Sequence, residues 1–174
     1  MSLTNTENLH ATLVSVFGVG ILITGESGSG KSECALELIA RGHALVADDA
    51  VIVESQGNEI FGSSQSELVG LLEVRGLGIC DVRKLYGESS IAERCRIHAV
   101  IELCGEKYED EPDRISGVQN ATTILGIEIP HFVIGNSNAR SLPVIVETAA
   151  RMIKTGGNTA PTDLIERHNK AVAG

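Results

Sequence analysis

The spacing of apolar positions changes repeatedly along the chain, and each change marks an element. The first eight residues are polar. Residues 11–17 form an apolar run that stops at Gly18, and residues 19–24, Val-Gly-Ile-Leu-Ile-Thr, form another; both predict strands. Residues 25–30 break the run. Residues 32–41 then place Ala35, Leu36, Leu38 and Ile39 at helical spacing, with Gly42 suited to end the helix. Ala44–Ala47 predicts a second buried strand running into Asp48-Asp49. Residues 51–54 continue as β, turn at Gln56-Gly57-Asn58 and return through 59–61. Residues 67–74 are apolar without a clear period, and 81–86 predict one or two helical turns.

Arg94–Cys104 alternates, with Cys95, Ile97, Ala99, Ile101 and Leu103 on one side and Arg96, His98 and Glu102 on the other, which is the signature of a half-buried strand. Residues 106–120 read as an acidic loop, 122–134 as β pieces around Gly126, and 136–140 as a polar loop. Helices are predicted over 143–154, with Pro143 in the first turn and Gly156-Gly157 past the end, and over 161–173. Strands outnumber helices. A purely parallel array needs a crossover helix between each pair of strands, so the expected fold is α/β, a mixed β-sheet with flanking helices.

The chain has 174 residues, enough for one domain with its own core. Aromatics are only 3%, so Val, Ile, Leu and Ala must build that core. The net charge of −9 offers no basic face for a nucleic acid. No apolar stretch reaches the length of a membrane span, and no signal peptide is evident. The four cysteines form no Cys-x-x-Cys pair and read as reduced core residues of a cytoplasmic protein.

Gly25-Glu26-Ser27-Gly28-Ser29-Gly30-Lys31-Ser32 matches G-x-x-x-x-G-K-[ST] in full, after a strand and before a helix. Glycines let the backbone wrap phosphates and aim N–H groups at them, and the new helix adds the positive end of its dipole. Lys31 would neutralise the outer phosphates of ATP, and the Ser32 hydroxyl would ligate Mg²⁺. Asp48 and Asp49 end the strand that follows. If strand geometry persists, they point to opposite faces, so one faces the last phosphate while the other sits on a metal-bound water or a second wall. Two roles are open for the facing acid: holding Mg²⁺, or accepting a proton from an attacking hydroxyl. Glu73-Val74-Arg75-Gly76-Leu77-Gly78 sets an acid and a base beside two glycines, which suits a loop approaching a phosphate or metal.

The glycine loop, followed by Glu33, Ala35-Leu36-Glu37-Leu38, Arg41-Gly42-His43 and Ala47-Asp48-Asp49, resembles the nucleotide-binding region of the HPr kinase/phosphorylase family. Glu73 to Ile79 resembles that family's second signature; His10 and Asp113-Arg114-Ile115 match further family positions, and the resemblance spans about residues 10–151. It implies an ATP- and Mg²⁺-dependent kinase acting on a seryl hydroxyl of the phosphocarrier HPr. Asp48 would be the general base, and the acid when phosphate attacks phosphoserine. Ser32 and Glu73 would hold Mg²⁺, while Lys31, His10 and Arg114 position phosphate groups. It also implies a hexamer, and a fold like that of phosphoenolpyruvate carboxykinase around the loop. The chain begins almost at the catalytic domain, so the family's N-terminal domain is expected to be absent. The family's dephosphorylation stretch, R-P-G-R-N, reads Ser137-Asn138-Ala139-Arg140-Ser141 here; only Arg140 matches, and Pro143 follows, which leaves phosphorolysis open.

Competing readings are a kinase for a small molecule or another protein, a GTPase and a nucleotide-sensing module. No Arg-rich lid suggests the first, the base-reading Asn-Lys-x-Asp is missing for the second, and intact Lys31, Ser32, Asp48 and Glu73 argue against the third.

Overall fold

The computed structural model describes residues 5–105, 120–135, 141–156 and 162–174. Eleven strands and four helices lie among them, in the order β1 (Thr6–Leu9), β2 (Thr12–Val16), β3 (Val19–Gly25), α1 (Lys31–Ala40), β4 (Ala44–Ala47), β5 (Val51–Gln56), β6 (Glu59–Ser63), β7 (Leu71–Val74), β8 (Gly78–Asp81), α2 (Val82–Tyr86), β9 (Arg94–Cys104), β10 (Asn120–Ile124), β11 (Ile127–Gly135), α3 (Leu142–Lys154) and α4 (Thr162–Ala173). Nine strands form one mixed sheet, and β7 and β8 form a separate hairpin.

β9 organises the sheet. It runs parallel to β3 on one side, and pairs with β6 through Arg94–Arg96 and in parallel with β11 through Val100–Cys104. The carboxyl ends of β3, β9 and β11 therefore lie at one edge, where ligands of open α/β sheets bind. Gly20 makes the β3–β9 approach feasible: a Cβ there would overlap the Arg96 carbonyl. At the register shift beside it, the Gly20 N–H donates to His98 Nδ1 at 3.0 Å, and burial holds that imidazole below its ordinary pKa.

The core has two parts. On one face of the sheet, Ile21, Ile23 and Ile101 pack with Cys34, Ala35 and Leu38 of α1 and Val146 and Ala150 of α3. On the other, Leu13, Leu22 and Val100 meet Val51, Val53 and Ile60 as well as Ile124 and Ile129, so the sheet curls over itself rather than carrying helices there. Each buried Leu or Ile contributes about 1.5–3 kcal/mol, which explains how so few aromatics suffice. The alternation predicted for β9 holds only from Ala99 to Leu103, which pack on the helix-covered face; the register shift opposite Gly20 breaks it, so Cys95 and Ile97 pack on the other face with Val100. Three strands were not expected from the sequence: β7 and β8, which pair with each other where the pattern has no clear period, and β1, whose residues are polar and mostly exposed and which exists because its backbone pairs with β5 along the sheet edge. All four cysteines are free, and burial pushes the Cys34 and Cys95 thiols up to about 12. Among the described residues no helix is long and apolar enough to cross a membrane.

An ion cluster fastens α3 to the end of α1. Arg41 grips Glu147 with two bonds, Nε to Oε1 at 2.9 Å and Nη2 to Oε2 at 2.6 Å, while His43 Nε2 lies 2.8 Å from Oε1. The hydrogen bonds from Arg41 and then His43 lower the Glu147 carboxyl from 4.5 to about 2. A carboxyl lowered on folding contributes stability above its unfolded pKa and loses it as pH falls towards the folded value. Glu147→Gln should therefore flatten the loss of stability between pH 4.5 and about 2, read from urea midpoints across that window. An unchanged slope would show that the cluster adds nothing.

Candidate active site

The site gathers at the carboxyl edge of β3. The glycine loop leaves the strand at Gly25, whose φ is 142° and whose Cβ, if present, would lie 2.5 Å from the Leu103 carbonyl oxygen. Only glycine fits both constraints. α1 begins at Gly30, left-handed at φ 95°, and no side chain caps its first turn. Lys31 is buried, and its Nζ donates to the carbonyls of Gly25 at 2.9 Å and Glu26 at 3.0 Å, so the ammonium lies across the mouth of its own loop.

Asp48 lies behind the loop, 9% exposed. Three residues donate to its carboxylate. Thr12 Oγ1 reaches Oδ1 at 2.8 Å. Ser32 Oγ lies 3.1 Å from Oδ1 and 3.2 Å from Oδ2. The backbone N–H of Glu73 reaches Oδ2 at 3.3 Å. One carboxylate thus ties together β2, α1 and β7.

The expectation that strand geometry continues through Asp48-Asp49 needs correction. β4 ends at Ala47, and the Ala50 N–H returns to the Asp48 carbonyl at 2.8 Å around Asp49, whose φ is 66°. This tight three-residue turn is strained for a non-glycine residue. It turns Asp49 into the cleft beside His10, whose Nδ1 lies 3.2 Å from Asp49 Oδ1 and 3.1 Å from the Asp49 carbonyl. Both neighbours are acceptors, so Nδ1 carries the proton.

A cleft of about 130 Å³ joins these groups. Ser27, Gly28, Gly30, Lys31 and Ser32 line it from the loop side, and His10, Asp49, Glu73 and Arg75 from the other. At ~30 Å³ per water it has the scale of a phosphate group with its hydration. A Cβ on Gly28 would come 3.5 Å from Arg75 Nη2, so that guanidinium stands directly over the loop. A larger cavity of about 590 Å³ adjoins at His10, Gly25 and Glu26, with Thr24, Glu102 and His131 on its far walls. Of the residues singled out in the sequence, Ser29 is buried within the loop, while Arg114 and Arg140 lie outside the described residues. Two contributors were missed: Glu33, which also lines the cleft, and Thr12. A hydroxyl in a strand of otherwise apolar inward positions is a signal that a polar partner is needed.

The family model described as HPr Serine kinase C-terminal domain matches residues 1–168. A Clostridium botulinum protein named HPr kinase/phosphorylase is 42% identical over 167 residues, covering 95% of this chain and 55% of its own length. A Treponema pallidum protein of the same name is 46% identical over 144 residues, with shares of 82% and 45%. The solved structure of the Hpr(Ser) kinase/phosphatase from Coxiella burnetii aligns with a TM-score of 0.81 at 30% identity, covering 96% of this chain and 97% of that one. The chain spans about half the length of the curated relatives it matches. With the matched fold extending across nearly the whole chain, the protein belongs to the HPr serine kinase C-terminal domain family.

Proposed function

We propose that the protein is an ATP-dependent kinase that phosphorylates a seryl hydroxyl of HPr. The observation that carries this reading is the convergence on Asp48 of the Ser32 hydroxyl and the Glu73 backbone, in contact with a cleft floored by Lys31. A hydroxyl suited to a metal, a second carboxylate and a cation thus line one phosphate-sized space, with the candidate base hydrogen-bonded to two of its lining residues just behind it.

The residues present fit Mg-ATP. The uncapped first turn of α1 offers N–H groups to a phosphate, and the Lys31 ammonium needs only to leave two carbonyls to reach one. Among the described residues no cluster of three or more His, Cys, Asp or Glu gathers, and Mg²⁺ needs none when one or two side chains share it with phosphates and water. Ser32 and Glu73 would supply those side chains. Bound Mg-ATP supplies the phosphoryl group, and the electron pair of the broken phosphoanhydride bond leaves on ADP. Asp48 takes the proton as the serine oxygen bonds to phosphorus. His10 and Arg75 would steady phosphate charge, with Arg114 joining them. The cavity beside His10 and Gly25 is the side from which the acceptor segment would enter.

The reverse reaction, phosphate attacking phosphoserine, would use Asp48 as the acid and draw on Asp49 and Arg140; the relatives' name, kinase/phosphorylase, favours testing it. The same reading extends to a cytoplasmic hexamer and to a likeness to phosphoenolpyruvate carboxykinase around the loop.

The test is the intact mass of HPr from the source organism after incubation with the protein and Mg-ATP. One added phosphate mapped to serine is expected, and its removal on adding inorganic phosphate would show reversal. An unchanged mass with nucleotide binding confirmed would overturn the HPr assignment in favour of another acceptor or a nucleotide sensor.

A further inference from the structure

Thr12 is fully buried, at 0% exposure, inside β2. A hydroxyl there must find a partner. β2 pairs with β4 in a register that sets Leu13 opposite Ala47, so Thr12 falls opposite the next residue, Asp48. Its hydroxyl donates to Asp48 Oδ1 at 2.8 Å, the shortest contact the carboxylate has.

The two carboxylate oxygens are consequently unequal. Oδ1 holds Thr12 at 2.8 Å and Ser32 at 3.1 Å, while Oδ2 holds only the longer contacts, Ser32 at 3.2 Å and the Glu73 N–H at 3.3 Å. The single Ser32 proton is shared between the two oxygens, so the short Thr12 bond is what sets Oδ1 apart, and an oxygen already accepting a short bond is the poorer place for a new proton. Ser32 and Glu73 belong to elements that meet the nucleotide and metal. Thr12 lies in the core and faces neither.

Resting on the reading of Asp48 as general base, we propose that Thr12 is a positioning residue for it: the buried hydroxyl ties down Oδ1, fixes the plane of the carboxylate, and leaves Oδ2 as the atom that takes the proton from the acceptor hydroxyl. When that hydroxyl's O–H bond breaks, the proton forms its new bond at Oδ2 while Thr12 stays on Oδ1. The strand holds this orientation independently of whatever occupies the cleft, so the base is set before substrate arrives.

Thr12→Val keeps the shape and removes the donor; Thr12→Ser restores it. For Thr12→Val, kcat for HPr phosphorylation should fall about tenfold to thirtyfold, with the affinity for Mg-ATP within about twofold of wild type. Thr12→Ser should recover kcat to within about threefold of wild type.

A Thr12→Val protein with wild-type kcat would overturn the assignment, and so would a Thr12→Ser protein no faster than Thr12→Val. So would a loss of nucleotide affinity or folding equal to the loss of rate, since the hydroxyl would then be serving packing alone. If Asp48→Asn transfers phosphate as well as wild type, the general-base reading itself fails, a result separate from either outcome at Thr12.

Discussion

Asp48→Asn should reduce phosphoryl transfer to HPr by about a thousandfold while leaving Mg-ATP binding within a few-fold of wild type, because positioned general bases contribute about 10²- to 10⁴-fold. The substitution is informative because the site can accept it. An amide oxygen in the place of Oδ2 still receives the Glu73 N–H, and the amide NH₂ in the place of Oδ1 can donate to Thr12, whose hydroxyl rotates to accept. The opposite orientation would set the NH₂ against the Glu73 N–H, two donors facing one another, so one rotamer is selected. The cluster joining β2, α1 and β7 therefore survives, and what disappears is the capacity to take a proton. Transfer is measured by single-turnover phosphorylation of HPr, and binding by displacement of a fluorescent nucleotide. Equal transfer rates in variant and wild type would sink the general-base assignment. A parallel loss of binding would instead make Asp48 a ligand of the metal.

Lys31→Ala acts at the other end of the cleft and should weaken Mg-ATP binding by about ten- to a hundredfold, the worth of a hydrogen bond to a charged group at 1.4 kcal/mol per tenfold. The structure adds a second consequence. The ammonium bridges the carbonyls of Gly25 and Glu26, and so closes the loop over itself. Removing it leaves those two carbonyls to water and should cost the free protein about 1 kcal/mol of stability. Lys31→Arg should not restore affinity, because a planar fork cannot replace a compact ammonium lodged between two backbone carbonyls. Affinity within threefold of wild type, measured by calorimetry, would remove Lys31 from the phosphate site.

Where the chemistry depends on neighbours in the chain, much is legible in the sequence. The glycine loop needs a turn, a close backbone approach and a new helix in consecutive residues, and 25–32 provide all three. Ala44–Ala47 is a strand as expected, and α1 differs by one residue at each end from its prediction, because local periodicity and a following glycine define both. The mixed sheet followed from counting strands against helices. Asp49 was placed near the phosphates by its strand-end position, and Glu73 and Arg75 drew notice beside two glycines, whereas His10 was reached through family resemblance rather than from spacing; all four line the cleft.

The sequence by itself determined most of the elements, the phosphate-loop motif and the identity of the candidate acids, since each rests on residues close together in the chain. The tertiary structure alone decided what these groups do to one another. Thr12 meets Asp48 across 36 residues, and Arg41 meets Glu147 across 106, through strand register and helix packing that no local pattern encodes. β1 is polar and becomes a strand only because β5 offers it an edge, and Asp49 leaves the strand path only because the chain must turn there towards β5. Local propensity specifies which segments can form; the pairing of distant backbones specifies which side chains face each other, and for this protein that second step makes a carboxylate into a candidate base.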